Sequence, residues 1–267
     1  MKRHLAILSV VFTGATVLFL SITGSQSSAW GWGDDDDGDG FVVPFDEAHV
    51  FFELNDTDGD LGIHALIDGE PWKELEIERP GGREILEVQV EDRLKRQGLT
   101  ELFFESAEPS FDELAPEKFF RRFPEGEYEI EAETLDGLEL KSTAEVTHLL
   151  PAPPSNVRVS GIPAAEDCDA DPLPLISGPV LISWDPVTRS HPELGRTNEA
   201  IEVVRYQVVV EREEPELLVF SVDLPPAVTE IEIPSGFIAL GEEFKFEIIV
   251  REESGNQTAV ESCFVVE

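Results

Sequence analysis

The chain is poor in several residue types. It has 2 Cys, 1 Met and 2 Tyr in 267 residues, and its 19 Lys and Arg face 56 Asp and Glu, a formal charge of −37. Two cysteines are too few for a disulfide-dense miniprotein or a Cys-based zinc cluster. So few bases against so many acids argue against nucleic acid or an anionic membrane surface as partner, because like charges repel. There is no Gly-x-Ser-x-Gly elbow, no phosphate-cradling glycine loop and no helical pair of histidines. Carboxylate pairs, by contrast, are everywhere, and their number alone identifies no glycosidase site. What is present is apolar: 41% hydrophobic residues with 17 Phe, enough to build cores and too much for a disordered chain.

The one long apolar run is at the start. Lys2-Arg3-His4 precedes Leu5 to Ile22, and Ser27-Ser28-Ala29 supplies small residues at a peptidase site. This is the layout of a secretory signal peptide over residues 1–29, with an uncleaved membrane anchor as the alternative. Cleavage removes two of the 19 bases and no acid, leaving 17 against 56 and a charge of −39. Export implies a periplasmic or extracellular location. In such an oxidising compartment Cys168 and Cys263 read as one disulfide, the alternative being two buried free thiols.

Residues 30–43 form an acidic low-complexity leader containing Asp34-Asp35-Asp36-Asp37, and ordered structure is expected from about Phe45. Pro151-Ala152-Pro153-Pro154 reads as a stiff linker, residues 151–154, between a β-module at 44–150 and a second domain at 155–267. In the first, His49–Leu54 and Ile85–Val90 alternate with period two. Glu127–Val146 predicts a hairpin about Asp136-Gly137, with Tyr128, Ile130, Ala132 and Thr134 inward and four glutamates outward; Leu138, Leu140, Ala144 and Val146 continue the apolar face. Glutamates cannot line a core, so the sheet has one wet side. Pro116 opens a short helix on which Phe119 and Phe123 share a face, and Pro124 ends it.

The second half is a string of strands. Val180, Ile182 and Trp184 form one inward face; Val204, Tyr206, Val208 and Val210 another; Phe244, Phe246, Ile248 and Val250 a third, opposed by Lys245, Glu247 and Arg251. With its proline-rich start, Trp184, Tyr206, the run Leu240-Gly241-Glu242-Glu243-Phe244 and Gly255-Asn256 at the last hairpin, residues 155–267 resemble a fibronectin type III domain. Phe244 stands where that family usually has a corner tyrosine. The resemblance implies that first and last strands lie close, so that Cys168 on a long first connection reaches Cys263. The fold class expected is all-β: two tandem antiparallel β-sandwich-like domains, immunoglobulin-like in the second, with one short helix in the first.

The sharpest local motif is Asn55-Asp56-Thr57-Asp58-Gly59-Asp60. Acids at alternate positions converge oxygens on a hard cation, which makes Asp56, Asp58 and Asp60 candidate Ca2+ ligands like the start of an EF-hand loop. Leu61 and Ile67 stand where that loop needs Gly and an acid, and Asn, Asp and Gly also favour a solvated turn without metal. Trp30, Trp32 and Trp72 are candidate sugar-stacking surfaces, Trp72 following a Gly69-Glu70-Pro71 turn. Arg93-Leu94-Lys95-Arg96 is expected to pair internally or to meet the acidic face of another copy. The function expected is an exported, non-enzymatic binding or structural protein for an extracellular protein or polysaccharide. The rival is an accessory or catalytic unit of a secreted polysaccharide-degrading enzyme, which would need a groove with two close acids and aromatics.

Overall fold

A computed structural model describes residues 42–267; the signal stretch, Trp30, Trp32 and the leader up to residue 41 lie outside the described residues. The first half runs β1 (Val42–Val43), β2 (Glu47–Asn55), β3 (Asp60–Arg79), β4 (Arg83–Gln89), β5 (Leu99–Glu105), α1 (Pro116–Arg122), β6 (Gly126–Thr134) and β7 (Glu139–Val146). Ahead of Phe45, Val42 and Val43 already pair in parallel with Glu139 and Leu140.

Strand β3 organises this half. Its first nine residues pair with β2, and His64–Asp68 pair on their other side with β5. Its last residues, Glu74–Arg79, run between β4 and β6. The change of neighbours falls at Gly69-Glu70-Pro71, which lies inside the strand and is not a turn. Proline has no N–H for the ladder, and a Cβ on Gly69 would stand 3.1 Å from the Phe45 ring, so this is where the register shifts. Side chains from both parts of β3 and from β2, β6 and β7 meet in one core, with Phe52, Trp72, Leu75, Tyr128 and Leu140 fully buried.

The Glu127–Val146 hairpin forms as its alternation dictates. Tyr128, Ile130, Ala132 and Thr134 are buried, and Gly137 takes φ +87° in the turn. Leu138 departs from the expected face: it is in the turn, not the strand, and is exposed. Helix α1 buries Phe119 against Phe52, ring centroids 5.3 Å apart, while Tyr128 Oη donates to the carbonyl of Pro124 at 3.1 Å and secures the chain beyond the helix.

The second half runs β8 (Ser155–Val159), β9 (Ile162–Pro163), β10 (Leu175–Ile176), β11 (Leu181–Asp185), β12 (Val203–Arg212), β13 (Leu218–Leu224), β14 (Glu230–Glu232), β15 (Glu243–Glu252) and β16 (Gln257–Val266). A sheet in the order β14-β11-β8-β9 packs its apolar face on β13-β12-β15-β16. This is the antiparallel sandwich that the fibronectin type III resemblance implies. Trp184 meets Tyr206 edge-on at 5.2 Å, and the Val187 N–H donates to the Tyr206 hydroxyl at 2.8 Å. Phe244 replaces the corner tyrosine by packing alone: fully buried, its ring stacks on Phe264 at 5.4 Å. Val204 leaves the inward row and is 42% exposed, because the register slips between Val203 and Arg205. Cys168 and Cys263 are disulfide-bonded, so no free thiol remains and the first connection is fastened to the last strand.

The halves have separate apolar clusters but share a sheet. Gln257–Ala259 of β16 pair in parallel with Glu53–Asn55 of β2, giving the continuous path β1-β7-β6-β3-β2-β16-β15-β12-β13. The proline segment is packed along this joint. Thr258 Oγ1 donates to the carbonyl of Pro151 at 2.8 Å, and Pro151 and Pro154 are buried.

Candidate functional site

The Asn55–Asp60 turn lies at this joint. Asn55 Oδ1 accepts from the N–H groups of Thr57 and Asp58 at 3.0 and 3.2 Å, so the turn is closed by its own side chain. The three acids are not equivalent in their surroundings. Asp56 Oδ1 is 3.0 Å from His191 Nε2. The other ring nitrogen of His191 accepts from the N–H groups of Glu193 and Leu194, so Nε2 carries the hydrogen and donates to Asp56. Asp56 is therefore a fastening to the second half. Asp58 and Asp60 turn to the outer face of the joined sheet, opposite the cores.

That face carries a strip of ionisable groups. Lys245 Nζ is 2.6 Å from Glu261 and 3.4 Å from Glu247. His64 Nε2 is 3.0 Å from Glu108, with Glu53 at 3.9 Å from its other nitrogen. Gln257 bridges Glu53 to Arg251, whose guanidinium lies 4.9 Å over the Phe51 ring. Burial pushes Asp60 up to about 7, with the charges of Glu108, Asp58, Glu261 and Glu53 adding, and its Oδ1 is buried with no hydrogen-bond partner. Burial also raises Glu247 to about 7; Lys245 opposes this and Glu261 reinforces it. Burial opposes a charge on His64, yet Glu108 and Glu53 outweigh it and hold the imidazolium above its usual range.

Sequence reasoning placed Lys245, Glu247 and Arg251 outside the core, which is correct, but not beside Glu53, Asp58 and Asp60. The linking contacts are long-range: Glu261 N–H donates to Thr57 Oγ1 at 2.9 Å, and Asp56 N–H to the carbonyl of Ala259 at 2.9 Å. His191 carried no recognisable signal, standing alone in a loop.

A second acidic surface covers the wet side of the first half. Glu76 lies directly between Glu87 and Glu131, and Glu78 pairs with Glu84 and Glu129. Like charges set opposite one another destabilise a sheet; among the described residues Lys141, paired with Glu129 and Glu131, and Lys73, 2.6 Å from Glu133, offset them. Among the described residues, Glu74, Glu76 and Glu87 are the one set of three whose ligand atoms lie within 4.8 Å of each other. Arg93, Lys95 and Arg96 are exposed and take part in no ion pair among the described residues, contrary to the internal pairing expected of them. Trp72 is fully buried and offers no face to a sugar.

No family model matches the chain, and no curated protein matches it. Among solved structures, it is similar to a two-domain fibronectin type III segment of chicken tenascin, at 12% identity and a TM-score of 0.30, over 83% of this chain and 98% of that one. It is also similar to the FN1–FN3 domains of chicken CNTN1, at 10% identity and a TM-score of 0.31, over 84% of this chain and 64% of that one.

Proposed function

We propose that the chain is an exported, non-enzymatic binding or structural protein that engages an extracellular protein or polysaccharide, without nucleic acid and without stable membrane insertion. The observation that carries this is the unbroken sheet through β2 and β16, which joins the bent sheet of the first half to one layer of the second-half sandwich and so presents one broad surface. The disulfide between Cys168 and Cys263 suits an oxidising compartment. The reading includes calcium as a stabilising ion. Asp60 supports it: its buried Oδ1 has no donor and the charges of Glu108, Asp58, Glu261 and Glu53 act on it, although these acids form no set of three within 4.8 Å of one another among the described residues. Asp58 shares that strip, while Asp56 is held by His191.

A pull-down from the native extracellular medium with mature protein, with and without chelator, tests this. The expected result is a stoichiometric partner retained by the wild type. Turnover of a polysaccharide with no stable complex would replace the binding reading with the enzymatic one.

A further inference from the structure

Most strand edges of the molecule are short or charged. Strands β1, β9 and β10 are two residues long, and β9 ends in Pro163. Strand β14 is three residues long, with Glu230 and Glu232 exposed at its ends. Strands β4 and β5, each paired with β3 alone, carry Glu84, Glu87, Glu101 and Glu105. Short length, proline and charged side chains guard an edge against pairing with another chain.

Strand β13 has none of these guards. It is seven residues long, ends the joined sheet, and pairs with β12 without a slip in register. Its other side has no strand neighbour among the described residues. It contains no Lys, Arg, Pro or Gly, and its one acid, Asp223, is 3.2 Å from Arg205. Leu217, Leu218 and Val219 are consecutive apolar residues, 60%, 38% and 51% exposed. A surface run of that kind is out of place unless something covers it. The free edge thus offers main-chain donors and acceptors flanked by exposed apolar side chains.

The residues of the strand suit a second copy of it. Alternation along the ladder puts Leu218, Phe220, Val222 and Leu224 on the core side, with Val219, Ser221 and Asp223 on the outer side. An antiparallel copy centred on Ser221 sets Leu218 against the second copy's Leu224, Phe220 against its Val222, and Val219 against its Asp223. In that register all seven residues pair, every side chain meets one on its own face, and no acid opposes an acid. The core row then continues across the junction and covers Leu218.

We propose that β13 is a self-association edge, pairing antiparallel with β13 of a second copy about a two-fold axis at Ser221. The proposal goes beyond the partner-binding reading, which stands whether or not the chain dimerises. Sedimentation equilibrium of the mature protein over a concentration series tests it, in about 0.15 M salt to screen the charge of the two copies. A monomer–dimer equilibrium is expected. Ser221→Lys sets two lysines opposite each other on the axis and is expected to weaken the dimer about tenfold or more. Leu138→Lys adds the same charge at an exposed site in the β6–β7 turn and is expected to leave dimerisation unchanged. Ser221 also accepts from Gln207 Nε2, so a second measurement uses the wild type alone. The alternate amides of β13 that point away from β12 should exchange more slowly with solvent as concentration rises. A wild type monomeric at every concentration would overturn the proposal and leave the edge to a strand of a different protein. Slow exchange of those amides already in the monomer would overturn it too, because the edge would then be covered within one chain. Equal dimerisation of wild type and S221K, with exchange in β13 independent of concentration, would place the contact elsewhere.

Discussion

The backbone N–H of Phe52 donates to Asn256 Oδ1 at 2.8 Å across 204 residues of sequence. The amide nitrogen of the same side chain donates to the carbonyls of Thr147 and Leu149 at 2.9 and 3.2 Å. One side chain, 1% exposed, thus ties the last hairpin to strand β2 and to the chain entering the proline segment.

Asn256→Ala would leave a buried N–H and two carbonyls without their partner. Unpaired buried polar groups cost roughly 1–3 kcal/mol each, and some relaxation is available, so a loss of about 3 kcal/mol is expected. Urea unfolding measures the loss, and amide exchange at Glu53–Asn55 should accelerate if the parallel joint is what Asn256 holds. Unchanged exchange there would mean that β2 and β16 stay paired without it.

The individual strands were legible because their alternation is local. Ile130, Trp184 and Phe246 each repeat at a spacing of two, which fixes the buried side of a strand wherever its neighbours lie. The joint was not legible, since Gly255-Asn256 reads as a hairpin turn and nothing nearby shows that its amide reaches Phe52. The same limit split the acidic motif: Asp56, Asp58 and Asp60 look equivalent along the chain, and only a histidine 135 residues away separates the first from the others. Gly69-Glu70-Pro71 read as a turn because glycine and proline break ladders, but here the break changes β3's neighbours without reversing the chain.

Reducing the disulfide is expected to destabilise the second half. Cys168 and Cys263 are 95 residues apart, and closing a loop of that length stabilises by about 4.7 kcal/mol in the chain-entropy model, with engineered cases often delivering less. The variant C168S/C263S should melt at lower temperature than the oxidised wild type and at about the same temperature as the reduced wild type. A variant as stable as the oxidised protein would show that packing alone holds the first connection.

Millimolar calcium is expected to raise the melting temperature, and Asp58→Asn with Asp60→Asn to abolish the gain. Asp56→Asn should keep it, because Asp56 already receives the His191 hydrogen bond. Without calcium, Asp60→Asn alone should stabilise the protein, since it removes a charge crowded by Glu108, Asp58, Glu261 and Glu53. Equal thermal shifts in all versions would leave only general screening of a highly acidic surface.

Stability should rise as pH falls from 8 towards 5, and Glu247 should account for much of the slope. Glu247 is 8% exposed and its carboxyl is raised to about 7, chiefly by burial, from an ordinary value of 4.5. A raised acid is penalised in the folded state when ionised. The folded protein therefore holds a proton that the unfolded chain has released, and stability declines as pH climbs from 4.5 through 7, then levels off. Lys245 at 3.4 Å limits the penalty, so the change is on the order of 1–3 kcal/mol. Glu247→Gln imitates the protonated form and should be more stable than the wild type at pH 8, with a flatter profile between pH 5 and 8. The profile should not become level, because burial also raises Asp60, Glu211 and Glu252, which contribute in the same direction. Chemical unfolding at half-unit pH steps decides it. A wild-type curve that is flat across this window would show that Lys245 fully compensates Glu247 and that the strip is ionised throughout.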